Sequence, residues 1–548
     1  MDSIDAFGVE TKVYGGIPLP NRVETDKLLA FMVTRADPSP GVLARASIKK
    51  GDLIFKVKDP LAIVGDTPEA LRKTCDFCFA TVFPIGGEDT WMTTDGKIEN
   101  KLQPCTGCAV VYYCNENCRA SAWEHHHSRE CHSFDTLRQM QYIKAHRGDL
   151  HMLSSAKFRL LLRYVLLFPK YKIVYEAFDY CLPGQTNLLL DPHFKNGLYL
   201  YLARLTKMII GTQLDEATLQ HILATFGYHA SPVALPLVKA HSTCVFMEAS
   251  STAMVGICVE PFVSYCAHDC NPNSMLIFEG NELRVRATRN ISKDEEITLN
   301  RAGDRPDHEF RRQFLKNRHL NCRCCLCNSP LPAPTGYLRL QTLKLCALGT
   351  MKAANRIEDI ERGIQAILTA RFGYGSLHMH KLHEILASAY AVRAEYATAL
   401  KICLKMFYVI EPLILNMHLE PFPIHVRAST LFRVTCLLES DAIKPPPHIP
   451  RLPRNIQVLV PKVSMHLRKK LLNLFPLSFG EDAIAVRLER NALERNMDYL
   501  MIGRRHQGLL WRYVPLEESV EEKTVFVNSM NELLAWAGIE KLEERHLV

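Results

Sequence analysis

The sequence predicts an α+β protein, and three observations lead there. Residues from about Gly41 to Val64, and again from His241 to Asn300, carry the short apolar runs and turn signals of strands. Cysteines at metal-ligand spacing crowd the stretch between, from Cys75 to Cys131. Beyond Tyr337 the chain reads almost wholly as helix. The expected architecture is a split, mostly antiparallel β-fold with an inserted zinc finger, a helical insert and a C-terminal α-helical array.

The first strands rest on Val42, Leu43, Ile48, Leu53, Ile54 and Phe55, with Lys50-Gly51-Asp52 as a turn. From His132 to about Ala240 the pattern becomes helical. Leu160, Leu161, Tyr164, Val165 and Phe168 recur at helical spacing, as do Leu198, Leu202 and Leu205. After Gly280-Asn281, a turn signal, Leu283, Val285 and Ala287 alternate with Arg284 and Arg286. The two arginines read as a solvated strand face, with a grip on an acidic peptide or nucleic acid as the alternative. Tyr265, Tyr228 and Phe226 lie in apolar runs and read as core. A short charged helix over 306–320 is followed by a linker, Pro330 to Pro334. Leu386, Tyr390, Ala394, Tyr396, Ala399 and Leu400 occupy the positions of a paired helix hairpin of tetratricopeptide (TPR) type, and Lys444-Pro-Pro-Pro-His-Ile-Pro450 is a loop within the array.

Composition narrows the function classes. The 548 residues include 47% hydrophobic and 23% charged residues, enough for several packed domains and incompatible with global disorder. A net charge of +8 is a mild excess at this length, and no dense basic run marks a nucleic-acid arm, so direct nucleic-acid binding is not expected. The most apolar stretch, Phe158 to Phe168, is too short for a membrane span and carries Arg159 and Arg163. Met1 to Glu10 lacks a secretory pattern, which points to the cytosol or nucleus. A reducing compartment keeps the 19 cysteines free, so their clustering points to zinc rather than to disulfides.

Cys75-x2-Cys78, Cys105-x2-Cys108, Cys114-x3-Cys118 and His127-x3-Cys131 supply eight ligands in four pairs. Zinc takes four thiolate or imidazole ligands in a tetrahedron, so eight ligands mean two ions. His125 and His126 are alternatives to His127, which has the better spacing to Cys131; the other two read as solvated. Cys322-x-Cys324-x2-Cys327 offers three more ligands, and Cys270 is the candidate for the fourth. Three ions, each held by four protein ligands, leave no open position for activated water, so the zincs are read as structural. The long gap between Cys78 and Cys105 contains Asp95-Gly96, the signal of a hairpin excursion.

Tyr112-Tyr113-Cys114-Asn-Glu-Asn-Cys118, followed by Trp123 and Cys131, resembles a MYND zinc finger. In that family the pairs interleave, which implies one ion on Cys75, Cys78, Cys114 and Cys118 and the other on Cys105, Cys108, His127 and Cys131. Ala267-His-Asp-Cys-Asn-Pro-Asn273 and Asp294-Glu-Glu-Ile-Thr298 resemble the core of a SET domain, and Cys322 to Cys327 resembles its post-SET zinc loop. The order of these parts is similar to that of the SET-and-MYND protein-lysine methyltransferases. It divides the chain into an N-terminal extension (1–30), a first SET part (31–74), the finger (75–131) and a helical insert (132–240). The core SET part (241–305), the post-SET loop (306–330) and a C-terminal helical TPR-like domain (331–548) follow.

The resemblance implies S-adenosylmethionine as methyl donor and a histone or non-histone lysine as acceptor. It also implies protein partners, including proline-rich peptides at the finger, for a chain expected to be monomeric. Carried across position by position, the cofactor-holding asparagine falls on Ala267, while His268 and Cys270 match the family. The tyrosine closing the Glu-Glu-Ile-Thr strand falls on Arg301, leaving the catalytic position without its phenol. The aromatic pair before the post-SET cysteines falls on Arg318 and Leu320. The basic, glycine-rich cofactor loop reads Pro38-Ser39-Pro40. An arginine stays protonated and cannot replace a phenol. Two functions therefore stand side by side: a lysine methyltransferase, and a catalytically degenerate SET scaffold that recruits partners through the finger and the helical groove.

Overall fold

The computed structural model describes residues 41–65, 67–81, 102–142, 155–167, 197–236, 252–302, 307–316, 320, 322–328, 333–348, 350–416, 424–440, 452–483 and 520–547, with short segments elsewhere. The chain forms two compact units. The first comprises residues 1–236, 253–303 and 310–327; the second comprises 237–252, 304–309 and 328–548. Among the described residues, no helix is long and apolar enough to cross a membrane.

The first unit is built on short antiparallel strands. β1 (Gly41–Ala44), β2 (Leu53–Val57) and β3 (Leu61–Val64) come from the early apolar runs. Between β1 and β2 the chain turns at Gly51, whose φ of 89° lies in the left-handed region that glycine enters at no steric cost. β4 (Gln103–Pro104) and β5 (Tyr112–Tyr113) form a small ladder in the cysteine-rich stretch. β6 (Ser231–Pro236) and β7 (Thr252–Val259) join β3 in one three-stranded sheet. β8 (Ala267–His268), β9 (Ser274–Glu279), β10 (Glu282–Ala287) and β11 (Thr298–Leu299) complete the set. β10 lies between β9 and β2, and β8 runs parallel to β11, with Ala267 opposite Thr298 and His268 opposite Leu299. Val42, Ile54, Val57, Ile63, Phe278, Val285 and Ile297 close the core between these sheets, all buried.

The turn at Gly280-Asn281 forms as its composition predicts, with Gly280 at φ 58°. The alternation along β10 does not hold to its end. The register slips between Val285 and Arg286, and that irregularity turns Arg286 inward, where its Nη1 donates to Gly51 O at 3.0 Å. Arg284 lies half-buried and pairs with Glu282 at 2.7 Å. The reading of both as a solvated face is therefore corrected: the bulge and a backbone acceptor one strand away place Arg286 in the interior.

The helices of this unit are α1 (Pro68–Lys73), α2 (Glu116–Ala122), α3 (Ser128–Tyr142), α4 (Ala156–Leu166), which packs on β3, α5 (Leu198–Ile210) and α6 (Glu216–His229). α7 (Pro261–Tyr265) is a single turn and α8 (His308–Lys316) is the core of the expected charged helix. α4 is the apolar stretch that carried two arginines. Both are buried and serve as anchors: an Arg159 Nη2 donates to Val64 O at 2.9 Å and Arg163 Nη1 to Ala62 O at 2.8 Å. They satisfy β3 carbonyls that would otherwise lose water without a partner. Tyr265 and Phe226 are core, as their apolar surroundings predict, while Tyr228 is half-buried. In the gap between Cys78 and Cys105, strands Phe83–Ile85, Thr90–Met92 and Ile98–Glu99 pair in antiparallel order, so the hairpin excursion is present.

The second unit is helical. α9 (Gly336–Cys346), α10 (Ile357–Thr369), α11 (Leu377–Val392), α12 (Tyr396–Lys405), α13 (Ile424–Ser440), α14 (Val460–Phe479) and α15 (Val520–Trp536) are its longer members. α11 and α12 form the expected hairpin, with Ala394 at φ 61° in the turn and Leu386, Ala399 and Leu400 buried. The Lys444 to Pro450 loop and the Pro38-Ser39-Pro40 segment lie outside the described residues.

Candidate metal centres and active site

Three groups of four ligand atoms converge, each within 4.8 Å of one another: Cys75, Cys78, Cys114 and Cys118; Cys105, Cys108, His127 and Cys131; and Cys270, Cys322, Cys324 and Cys327. The closest sulfur pairs are Cys114–Cys118 at 3.3 Å, Cys78–Cys114 at 3.7 Å, Cys105–Cys131 at 3.7 Å and Cys270–Cys327 at 3.6 Å. These are not disulfides, whose sulfurs lie about 2.05 Å apart. A tetrahedron with Zn–S bonds of about 2.3 Å has edges of about 3.8 Å, so the donor sets fit zinc in spacing as well as in chemistry. The interleaved pairing and the distant fourth ligand Cys270 are both present in the geometry.

Local structure explains why the pairs converge. In each Cys-x2-Cys turn of the finger, the residue after the second cysteine adopts a left-handed conformation, Phe79 at φ 60° and Ala109 at φ 56°. Its N–H donates back to the first cysteine's carbonyl, Phe79 to Cys75 O at 3.0 Å and Ala109 to Cys105 O at 2.9 Å. This fold of the backbone turns both sulfurs to one side. Asn115 caps α2 by accepting from Cys118 N at 2.8 Å, which fixes Cys118 in the first helical turn beside Cys114. Between α2 and α3 the helix widens to a π-turn over Trp123–His127. Such single π-turns re-aim side chains and are common at functional sites.

That turn sorts the three histidines. His127 Nε2 lies 3.2 Å from Cys105 Sγ and 3.6 Å from Cys108 Sγ. His125 is exposed and bonds Ser121 O through Nδ1 at 2.8 Å. His126 is buried and meets Asp76 Oδ2 through Nε2 at 3.0 Å. The expectation that two of the three are solvated is thus correct for His125 and wrong for His126, which finds a carboxylate fifty residues away.

Each cluster holds one sulfur readily ionised. Hydrogen bonds from Cys114, Cys118 and Cys78 lower Cys75 well below the ordinary thiol range. Hydrogen bonds from Cys270 and Cys322 lower Cys324. Burial would raise Cys105, but the backbone N–H of Cys108 and the His127 ring bring it to about 7. A thiolate among thiols is the starting state for metal capture. Gly107, inside the second turn, has no room for a side chain: a Cβ there would lie 2.7 Å from Cys131 Sγ. Gly107→Ala is expected to push Cys131 off its ion and reduce bound zinc from three to two per chain by elemental analysis, while the other two clusters stay loaded.

The candidate active site lies where β8 runs beside β11. Asn273 holds this loop in place: its Oδ1 accepts from Thr298 N at 2.8 Å and its Nδ2 donates to Glu296 O at 2.7 Å. Arg301 follows directly. Its backbone N donates to His268 Nδ1 at 3.0 Å, and His268 Nε2 lies 3.3 Å from Cys270 Sγ. Burial, then the nearby Arg301 charge, push His268 down to about 4, so the ring is neutral at pH 7, accepting through Nδ1 and donating through Nε2. The Arg301 guanidinium turns the other way. Its Nη2 donates to Cys266 O at 2.9 Å and Val263 O at 3.1 Å, and also to Ser264 O. These are the carbonyls at the end of α7, which lack intrahelical partners. Ala267 presents only a methyl group here. Leu320 is half-buried after α8, and Arg318 lies outside the described residues.

A model of the SET domain matches residues 40–300. Histone-lysine N-methyltransferase ASHR1 of Arabidopsis thaliana is 27% identical over 284 residues, 51% of this chain and 51% of the relative. The SET domain and MYND-type zinc finger protein 6 of Schizosaccharomyces pombe is 23% identical over 53% of this chain and 50% of its own length. The chain resembles the SET-and-MYND family, and the matched SET residues cover just under half of it. Human histone-lysine N-methyltransferase SMYD3 is 26% identical over 53% of this chain and 59% of its own length. The chain spans about half the length of the curated relatives it matches. It resembles lysine methyltransferases and carries three cysteine-rich groups whose spacing fits zinc.

One group of functional residues was missed by reading the sequence. Asp76, His126 and Glu130 are buried together beside the second cluster, with Arg163 among them. Burial would raise the Glu130 carboxyl, but Arg163 and the His127 and His126 rings hold it well below the usual range. The available signal was an arginine in the middle of the apolar run of α4.

Proposed function

We propose that this chain is a zinc-braced protein of the lysine methyltransferase class in which the SET core serves protein recruitment, with lysine methylation suppressed by Arg301. The observation that carries this reading is the guanidinium clamped on the carbonyls of Val263, Ser264 and Cys266 at the position of the family's tyrosine. Methyl transfer from S-adenosylmethionine to lysine is an in-line displacement that depends on positioning and charge. When bound, that cofactor supplies a methyl on a sulfonium. Ala267, His268, Arg318 and Leu320 are the residues that would hold it. Like charges repel strongly where water is excluded, so a fixed guanidinium in this site disfavours a sulfonium or a charged amine beside it. The missing amide at Ala267 costs about 1–3 kcal/mol more if a buried partner is left unmet.

In this reading, three zinc ions are structural. The finger takes proline-rich peptides, and the C-terminal helices form an irregular TPR-like array over the range assigned above. The protein is a monomer of the cytosol or nucleus, where the thiolates stay reduced. A second reading, an active enzyme on a histone or other protein lysine, is favoured by the names of the relatives from Arabidopsis and human.

Calorimetry with S-adenosylmethionine, followed by radiolabelled methyl transfer to cell extract, separates the two. The expected result is no label from the wild-type protein and a gain of transfer in the double variant Arg301→Tyr, Ala267→Asn. Ready incorporation by the wild type, undiminished relative to the double variant, overturns the proposal in favour of the enzyme.

A further inference from the structure

We infer that Arg163 is the positioning residue of the second metal centre, acting through Glu130 on His127, so that metal retention in the finger depends on the helical insert. The inference rests on the zinc reading above. Its warrant is the buried group at the base of the finger. Asp76, His126 and Glu130 bring two carboxylates and an imidazole within 4.8 Å of one another. By composition this is itself a cation site. Its cation is the guanidinium: Arg163 Nη2 lies 3.0 Å from Asp76 Oδ2 and 3.0 Å from Glu130 Oε2, and Nε also donates to Glu130. The remaining Nη1 is fixed on Ala62 O of β3 at 2.8 Å.

Every acidic or imidazole member of this group adjoins a ligand in sequence. Asp76 follows Cys75, His126 precedes His127 and Glu130 precedes Cys131. The sharpest link is Glu130, whose Oε2 lies 3.7 Å from His127 Nδ1, an ion-pair contact longer than a hydrogen bond, while Nε2 of the same ring faces Cys105 and Cys108. A carboxylate behind a ligating imidazole fixes the ring's tautomer and orientation and raises its basicity. Here the carboxylate is itself aimed by a two-point arginine fork, a geometry that an ammonium cannot reproduce. Arg163 belongs to α4, not to the finger, and lies thirty-three residues from Glu130 in sequence. The carboxylate that backs the His127 ring is therefore aimed from a helix packed on the SET sheet.

The test uses the full-length, zinc-loaded protein and three variants: Arg163→Met, Arg163→Lys and Glu130→Gln. Zinc affinity is read by competition with a chromogenic chelator, and the centres are told apart by the cobalt spectra of their all-cysteine and cysteine–histidine ligand sets. Arg163→Met and Glu130→Gln are expected to weaken the Cys105, Cys108, His127, Cys131 centre by about 10- to 100-fold, with the other two centres unchanged. Arg163→Lys is expected to recover only part of the loss. Unchanged affinity in both Arg163→Met and Glu130→Gln overturns the inference, and so does an equal loss at all three centres, which marks a general packing role. If Arg163→Met fails to fold, Glu130→Gln alone decides. A wild-type protein with no metal at the second centre sinks the zinc reading and this inference together. A loaded wild type with unaffected variants sinks only the inference.

Discussion

Removing the metal with a strong chelator is expected to abolish the cooperative melting of the first unit, and adding zinc back is expected to restore it. All twelve ligands of the three clusters belong to that unit. The finger has little else to hold it: its ladder is two residues on each strand, β4 against β5. Beside the ligands, Asp76, Glu130 and His126 are buried polar groups, and the buried apolar side chains are few, chiefly Phe79, Leu102, Val111 and Tyr113. Structural zinc contributes about 10–16 kcal/mol of apparent binding free energy at such sites. A whole domain is stable by only about 5–15 kcal/mol, so the loss of even one ion exceeds what the remaining contacts offset. The third cluster adds a long-range tie, joining Cys270 to Cys322 across fifty-two residues. The second unit holds none of these ligands and has its own apolar core around Ile360, Ile367, Met379 and Leu382. Scanning calorimetry and circular dichroism before and after chelation should therefore show one transition vanish and a helical transition remain. A melting curve unmoved by complete metal removal would falsify the bracing role of the clusters.

The parts legible in the sequence are those whose geometry is local. Two cysteines separated by two residues share one backbone turn, and the two such turns in the finger each end in a left-handed residue, Phe79 and Ala109. Their convergence needs no knowledge of the rest of the fold. The turns at Gly51 and Gly280 and the hairpin of α11 and α12 are legible for the same reason. The interleaving of the finger came from a resemblance and Cys270 from the need for a fourth ligand, and the ligand geometry agrees with both. What resisted reading is the interior polar chemistry. Nothing near Arg159, Arg163, Arg286 or His126 in sequence shows that each has a buried partner on another element. Strand alternation placed Arg286 outside because the slip in register after Val285 leaves no mark in composition. The carbonyls that receive Arg301 are equally silent: that a residue replaces the family's tyrosine is visible in the sequence, but what it bonds instead is decided by α7, some thirty-five residues upstream.

Arg468→Met is expected to be the most destabilising single change in the helical unit. Arg468, on α14, and Glu489 are 0% and 1% exposed and form an ion pair. Two charges taken fully out of water carry a large desolvation cost that their mutual attraction offsets. Removing the arginine keeps much of the buried volume but leaves the Glu489 carboxylate without its main counter-charge. Breaking a buried pair from one side costs about 3–5 kcal/mol. For a unit of about 150–250 residues, each kcal/mol moves the melting point by about 2–4 °C, so the fall should be roughly 6–20 °C. The double variant Arg468→Met, Glu489→Leu separates charge from packing. With both members of the pair gone, neither leaves a stranded charge, and the double variant should melt closer to the wild type than the single variant does. The measurement is the melting temperature of the transition that survives chelation. A double variant at least as unstable as Arg468→Met means that the arginine acts through its packed stem, because only a stranded charge is relieved by deleting the second partner.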